Sequence, residues 1–257
     1  MTDRDVRLDI ANGIARITVT RASRMNAMRD QTGDELLAAL IAAETDASVG
    51  AVLLTGEGRA FGAGYDLSTI APDAVPDLAQ VLELHFNPLI RKMRTSRLPI
   101  VAAVNGACAG ASVGIALAAD IVIAARNAFF YEPFVGIALV PDAGNTLFLP
   151  RMAGRIRASA AMLLGDRITA EEAERWGLVW RVVEPDGLLP EAERVCAALA
   201  ARSHDAVSMT KRLIAQASDP DLDPMLDLER DLQGKAGRSP EMRAEIDRFF
   251  ADRAAKS

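Results

Sequence analysis

The apolar positions of this chain follow two periods that take turns along it. Val6, Leu8 and Ile10 occupy alternate positions, Asn12-Gly13 interrupts them, and Ile14, Ile17 and Val19 follow. This pattern predicts a β-hairpin over 6–20, because Asn-Gly accepts the positive φ that a two-residue hairpin turn requires. From Asp30 to Thr45 the period lengthens, with Leu36, Leu37, Leu40 and Ile41 on one face of a helix. Val52-Leu53-Leu54, within 50–55, is a continuous apolar run suited to a strand covered on both faces. A glycine-rich loop is expected over 56–64 and a helix over much of 77–94. Strands are predicted at 100–104, 121–125, 129–131 and 179–183. A turn leading into a helix is expected at 106–114, with further helices around 143–152, 156–164 and 170–176. Beyond about residue 188 only helical patterns remain.

Strands and helices therefore alternate to about residue 185, which predicts an α/β core carrying a helical appendage. The expected division is a core over 1–190 and a C-terminal helical region over 191–257. Leu213, Ile214, Leu226, Leu228, Met242, Ile246, Phe249 and Phe250 in that region need cover, from a second copy or from the chain's own core. The segment 98–119 has no charge and is long enough to cross a membrane. Pro99 and Asn105-Gly106 interrupt it, so buried strand, turn and helix is the better reading, and no membrane partner is expected.

Composition narrows the partners. The 257 residues include 29 basic and 35 acidic ones, a net charge of −6 that argues against nucleic acid. The start, Met1 to Asp5, is polar and lacks the apolar stretch of an export signal. Cys108 and Cys196 therefore read as reduced, buried thiols of a cytoplasmic protein. Neither His85 nor His204 sits at metal-ligand spacing with another histidine or with a cysteine, so no metal is expected.

Three turns carry candidate chemistry. Gly56-Glu57-Gly58 invites a dinucleotide reading, but Phe61 stands where the fingerprint needs its third glycine. Gly62-Ala63-Gly64-Tyr65-Asp66-Leu67 and Asn105-Gly106-Ala107-Cys108-Ala109-Gly110-Ala111-Ser112 are turns whose small residues admit close backbone approach. Two such turns, one opening a helix, can aim amide N–H groups at one oxygen; either can equally be a plain structural turn. In Pro141-Asp142-Ala143-Gly144-Asn145, Asp142 suits a helix N-cap. It also suits a general acid/base in dry surroundings built from Phe134, Val135, Ile137, Leu139 and Phe148.

Arg24-Met25-Asn26-Ala27-Met28, the run from Gly58 to Leu67, Pro99 to Asp120, Pro141 to Pro150, Ala173 to Val183 and the end at Phe249–Arg253 occur here in one order. Together they resemble the crotonase, or enoyl-CoA hydratase/isomerase, superfamily over nearly the whole chain. The resemblance implies a spiral of ββα units with C-terminal helices that commonly build homotrimers and hexamers. It implies an acyl-CoA thioester substrate, with coenzyme A as part of that substrate and no separate cofactor. Tyr65 and Ala111 match the two residues whose backbone N–H groups form the family's oxyanion hole. Met25, Ala27, Ala63, Asp66 and Leu67 match the coenzyme A loops; Arg24 and Arg59 are placed to offset its phosphates. Lys211 lies where the family often has a basic residue in a C-terminal helix.

The departures decide the expected reaction. The two glutamates with which the family's hydratases handle water fall at Gly114 and Phe134 in this chain. Asp142 matches the carboxylate of several other members, and 136–144 with Trp176–Trp180 looks most like ring-epoxide and enoyl-CoA isomerases of phenylacetate catabolism. An isomerase with Asp142 as its acid/base is therefore expected. The rivals are a hydratase using Glu132, an aromatic acyl-CoA hydrolase or dehalogenase with Asp142 as nucleophile, and an acyl-CoA-binding protein without turnover.

Overall fold

A computed structural model describes residues 4–69, 77–217 and 222–254. Met1 to Asp3 and the side chains of Phe249 and Phe250 lie outside the described residues. The hairpin is β1 (Val6–Ala11) with β2 (Ile14–Val19), and Asn12 and Gly13 both have positive φ. Helix α1 (Asp30–Thr45) has the predicted bounds and buries Leu36 and Leu40. Then follow β3 (Ala51–Gly56), a short strand β4 (Ala60–Gly62) inside the expected loop, α2 (Leu78–Val81) and α3 (Asn87–Thr95). Between α2 and α3 the helix widens to a π turn over Leu82–Phe86.

The next two turns of the chain repeat that order. First come β5 (Ile100–Val104), β6 (Ala107–Ala109) and α4 (Ala111–Ala118); then β7 (Ile121–Ala125), β8 (Phe129–Tyr131), α5 (Asn145–Ala153) and α6 (Arg155–Leu164). The chain continues with β9 (Ile168–Thr169), α7 (Ala170–Trp176), β10 (Arg181–Val183), α8 (Leu188–Ala200), α9 (His204–Gln216), α10 (Leu222–Ala236) and α11 (Pro240–Ala254).

Each repeat gives one strand to each of two sheets. The larger has the order β1-β2-β3-β5-β7-β10, parallel except for the hairpin; the smaller has β4-β6-β8-β9, with β9 antiparallel. This is the spiral of ββα units. The segment 98–119 is strand, turn and helix, and no described helix is long and apolar enough to cross a membrane.

Burial explains the uninterrupted apolar strands. In β5, Ile100, Ala102 and Val104 face the main core, while Val101 and Ala103 face a second one closed by Leu188, Ala192, Val195 and Cys196 of α8. Cys108 and Cys196 are both free and fully buried.

Lys211 is a structural strut. Only 8% exposed, its ammonium lies 2.8 Å from the Asp120 carboxylate and donates to the carbonyls of Met93 and Leu98. Asp120 in turn accepts from the Ile100 N–H, so helix α9 is tied to the start of β5. Replacing Asp120 by Ala leaves a buried, unpaired ammonium. Asp120→Ala is therefore expected to lower unfolding free energy by about 3 kcal/mol in denaturant titrations.

Candidate active site

Three segments meet at Gly110. A Cβ placed on Gly110 would lie 3.5 Å from Gly64 Cα, 3.7 Å from the Phe134 ring and 4.0 Å from Pro133 Cγ. Gly110 has φ 56° and ψ −131°, a conformation that suits only glycine. Its N–H donates to the Tyr131 carbonyl at 2.9 Å, which hangs the turn from β8. Ala111 then opens α4, and a first-turn helical N–H has no acceptor within its own helix.

The facing turn is held from the other side. Met28 N–H donates to the Gly64 carbonyl and the Met28 carbonyl accepts from Asp66 N–H, both at 2.7 Å. Gly64 N–H reaches the buried Ser112 hydroxyl at 3.2 Å, linking the two turns. The peptide between Gly64 and Tyr65 is thus fixed at its carbonyl. The Tyr65 side chain packs elsewhere: its hydroxyl donates to Asp30 at 2.9 Å and its ring meets Phe86 edge-on. Phe130 is core, whereas the Phe134 ring lies at Gly110.

Asp142 does not cap a helix. Gly144, with positive φ, is the residue before α5, and the helix begins at Asn145. The surroundings of Asp142 also differ from expectation, since Val135, Ile137 and Leu139 are exposed while Phe134 and Phe148 are buried. Burial nonetheless pushes the Asp142 carboxyl up to about 6. Glu132, one residue past the end of β8 and 1% exposed, is pushed to about 8 by burial and then by the charge of Asp142. Burial, and secondarily Glu132, raises the Cys108 thiol well out of the reactive range.

Seven buried side-chain polar atoms among the described residues make no hydrogen bond, and four of them belong to Glu132, Asp142 and Asn145. Native proteins rarely leave such atoms unpaired, which makes Glu132, Asp142 and Asn145 candidate site residues. A separate cleft of about 810 Å³ lies against Arg16, Thr18, Thr55, Asn105 and Leu189.

The position matching the first hydratase glutamate is closed by main chain. A Cβ on Gly114 would lie 2.2 Å from the carbonyl oxygen of Ala143, itself at φ 49°. The turn that carries Asp142 therefore sits in the space a side chain at 114 would take.

The loops matched to coenzyme A are built around Arg21 and Asn26. Arg21 pairs with Asp66 at 2.8 Å and donates to the Ala27 carbonyl. Burial acts to raise the Asp66 carboxyl, but hydrogen bonds from Ser68 and Arg21, with the Arg21 charge, hold it below the usual range. Met25 and Asn26 both have positive φ; the buried Asn26 amide compensates by donating to the Glu57 and Ala60 carbonyls at 2.9 and 2.6 Å. Arg24, Arg59, Ala63 and Leu67 are exposed, and Arg59 Nε lies 2.9 Å from Met25 Sδ. No group of His, Cys, Asp and Glu among the described residues could hold a metal ion.

The family described as Enoyl-CoA hydratase/isomerase matches residues 9–256. This chain belongs to that family. It is 40% identical over 248 residues to the 1,2-epoxyphenylacetyl-CoA isomerase of Escherichia coli, covering 95% of each chain. It is 42% identical over 255 residues to the Rhodobacter capsulatus protein named "Probable enoyl-CoA hydratase", covering 98% of this chain and 97% of that one. The solved enoyl-CoA hydratase of Bacillus anthracis superposes with a TM-score of 0.92 at 27% identity, covering 96% of both chains. Membership makes the chain an acyl-CoA enzyme of the hydratase/isomerase type.

Sequence reasoning named Asn145, Ser112 and Asn26 only as members of motifs and gave none of them a role. Their side-chain partners lie 31 to 48 residues away, so no local pattern reveals them. Because Ala143 fills the space beside Gly114, Gly114→Ala is expected to overpack the site at a cost of roughly 1–3 kcal/mol. Calorimetry should show this as a lower Tm, whereas an unchanged Tm would mean the 142–144 turn moves freely.

Proposed function

We propose that the chain is an acyl-CoA isomerase that holds the thioester oxygen between the N–H groups of Tyr65 and Ala111. Asp142 then takes a proton from carbon next to the carbonyl. The C–H electron pair enters the enolate, negative charge gathers on the oxygen, and the same proton returns at a carbon further along the acyl chain. A double bond moves and no other reactant is consumed. Each oxyanion donor of this kind contributes ~3 kcal/mol to the transition state. The observation that carries the reading is Asp142 itself, a half-buried residue whose Oδ1 is buried without a hydrogen bond and whose carboxyl is raised to about 6. A base with that value is ionised at neutral pH and strong enough to accept a carbon-bound proton.

Gly114 and Phe134, where hydratases carry glutamates, cannot exchange protons, and the likeness to an epoxyphenylacetyl-CoA isomerase supports the same choice. Met25, Ala27, Ala63, Asp66 and Leu67 would line the coenzyme A path, with Arg24 near the phosphates. Asp66 would act as the Arg21-bound brace of its loop.

One observation favours a second reading. Glu132 keeps its proton to about pH 8 and makes no hydrogen bond, so it is the acid available for hydration of an enoyl-CoA.

Isomerase turnover is expected on 3-enoyl-CoA or ring-epoxide thioesters. It should rise as pH climbs through about 6, because Asp142 must lose its proton to act. Asp142→Asn should lower kcat by roughly 10²–10⁴-fold with the fold intact. Full turnover in that variant would remove Asp142 from the reaction. Crotonyl-CoA hydration that disappears in Glu132→Ala would establish the second reading instead.

The chain is further proposed to assemble as a homotrimer or hexamer. Ile214, Leu226, Met242 and Ile246 of the C-terminal helices are between 40% and 65% exposed and would be covered there. Light scattering should give a trimeric or hexameric mass that falls in Leu226→Glu/Met242→Glu; a monomeric wild type would overturn it.

A further inference from the structure

The Gly110–Ala111 peptide has its carbonyl on one side and the Ala111 N–H on the other. The Gly110 carbonyl accepts two hydrogen bonds: from Val113 N–H at 2.9 Å, within the first turn of α4, and from the side-chain amide of Asn145 at 3.1 Å. Asn145 is fully buried, and its backbone N–H donates to the Asp142 carbonyl at 2.9 Å. One residue therefore grips the peptide proposed to bind the oxyanion with its side chain, and the turn bearing the proposed base with its main chain. Donors on a peptide carbonyl polarise the whole amide, so the N–H at its far end becomes a stronger donor. The same bond fixes the plane of a peptide whose glycine sits in a strained conformation.

We infer that Asn145 is a positioning residue, a strut that aims and polarises the Ala111 N–H and sets its distance from Asp142. This rests on the proposed oxyanion role of Ala111, and it adds a side-chain control of that role which the backbone alone does not supply. The inference is specific to asparagine. A shorter or apolar side chain at 145 leaves the Gly110 carbonyl with only Val113.

The test separates the strut from the reading beneath it. Cinnamoyl-CoA carries its aryl ring on the β-carbon and has no γ-hydrogen, so it can bind but cannot isomerise. Its conjugated thioester absorbs at longer wavelength when the carbonyl oxygen is polarised. Wild type should shift this band to the red on binding. Asn145→Ala, and Asn145→Ser whose hydroxyl is too short to reach Gly110, should each lose most of that shift. Both should also lower kcat on the isomerised substrate on the order of tenfold, less than deletion of an oxyanion donor costs, with little change in KM. A residue that merely packs would alter Tm and leave the band where it is. Variants that keep the full red shift and the wild-type kcat overturn the strut while leaving the oxyanion reading intact. A wild type that binds cinnamoyl-CoA with no red shift overturns the oxyanion reading and the strut with it.

Discussion

The site depends on how one glycine peptide is held. Gly110 is reached from β8 through the Tyr131 carbonyl, from α4 through Val113 and from α5 through Asn145, and its positive φ, rather than any lack of room beside Gly64, is what demands glycine. The ββα repeat makes this possible. Successive repeats place β4, β6 and β8 side by side in the smaller sheet, so the turns that follow β4 and β6 are neighbours, and the second of them opens α4. The large parallel sheet, covered on both faces, supplies the rigidity that keeps those turns in register.

Two kinds of carboxylate are sorted by what surrounds them. Asp5 and Asp66 are buried but answered: Arg29, Thr32 and Arg21 bond Asp5, and Arg21 with Ser68 bonds Asp66, so both stay ionised despite burial. Glu132, buried, and Asp142, half-buried, keep buried oxygens without a hydrogen bond, and each ionises only at a higher pH than an exposed acid. The first pair braces the loops that frame the site; the second gives two groups able to change protonation between about pH 6 and 8. Environment divides structural from reactive acids, as it must where residue type is the same.

The hairpin, α1 and the strand at 100–104 were legible because alternation, a helical stripe and an Asn-Gly turn are local signals. β4 and β6 were not, since both lie inside glycine-rich runs that read as turns, unlike the equally short Phe129–Tyr131 with its three aromatic residues. The π turn at Leu82–Phe86 left no compositional trace. It lies where the His85 carbonyl presses on α1, so close to Gly33 that a Cβ there would be 2.7 Å away. Asp142 was found by motif, but its N-cap role failed because two residues with positive φ, Ala143 and Gly144, separate it from the helix. Lys211 was expected by resemblance alone, and its buried bonds to Asp120, Met93 and Leu98 required tertiary structure.

The Ala143 carbonyl lodged against Gly114 limits what can be engineered at that helix position. Installing an acid there would require the neighbouring loop to retreat first, so a substitution at 114 alone would not deliver a carboxylate into that space. New proton chemistry is more readily built by moving or exchanging the acids that the surrounding loops already carry.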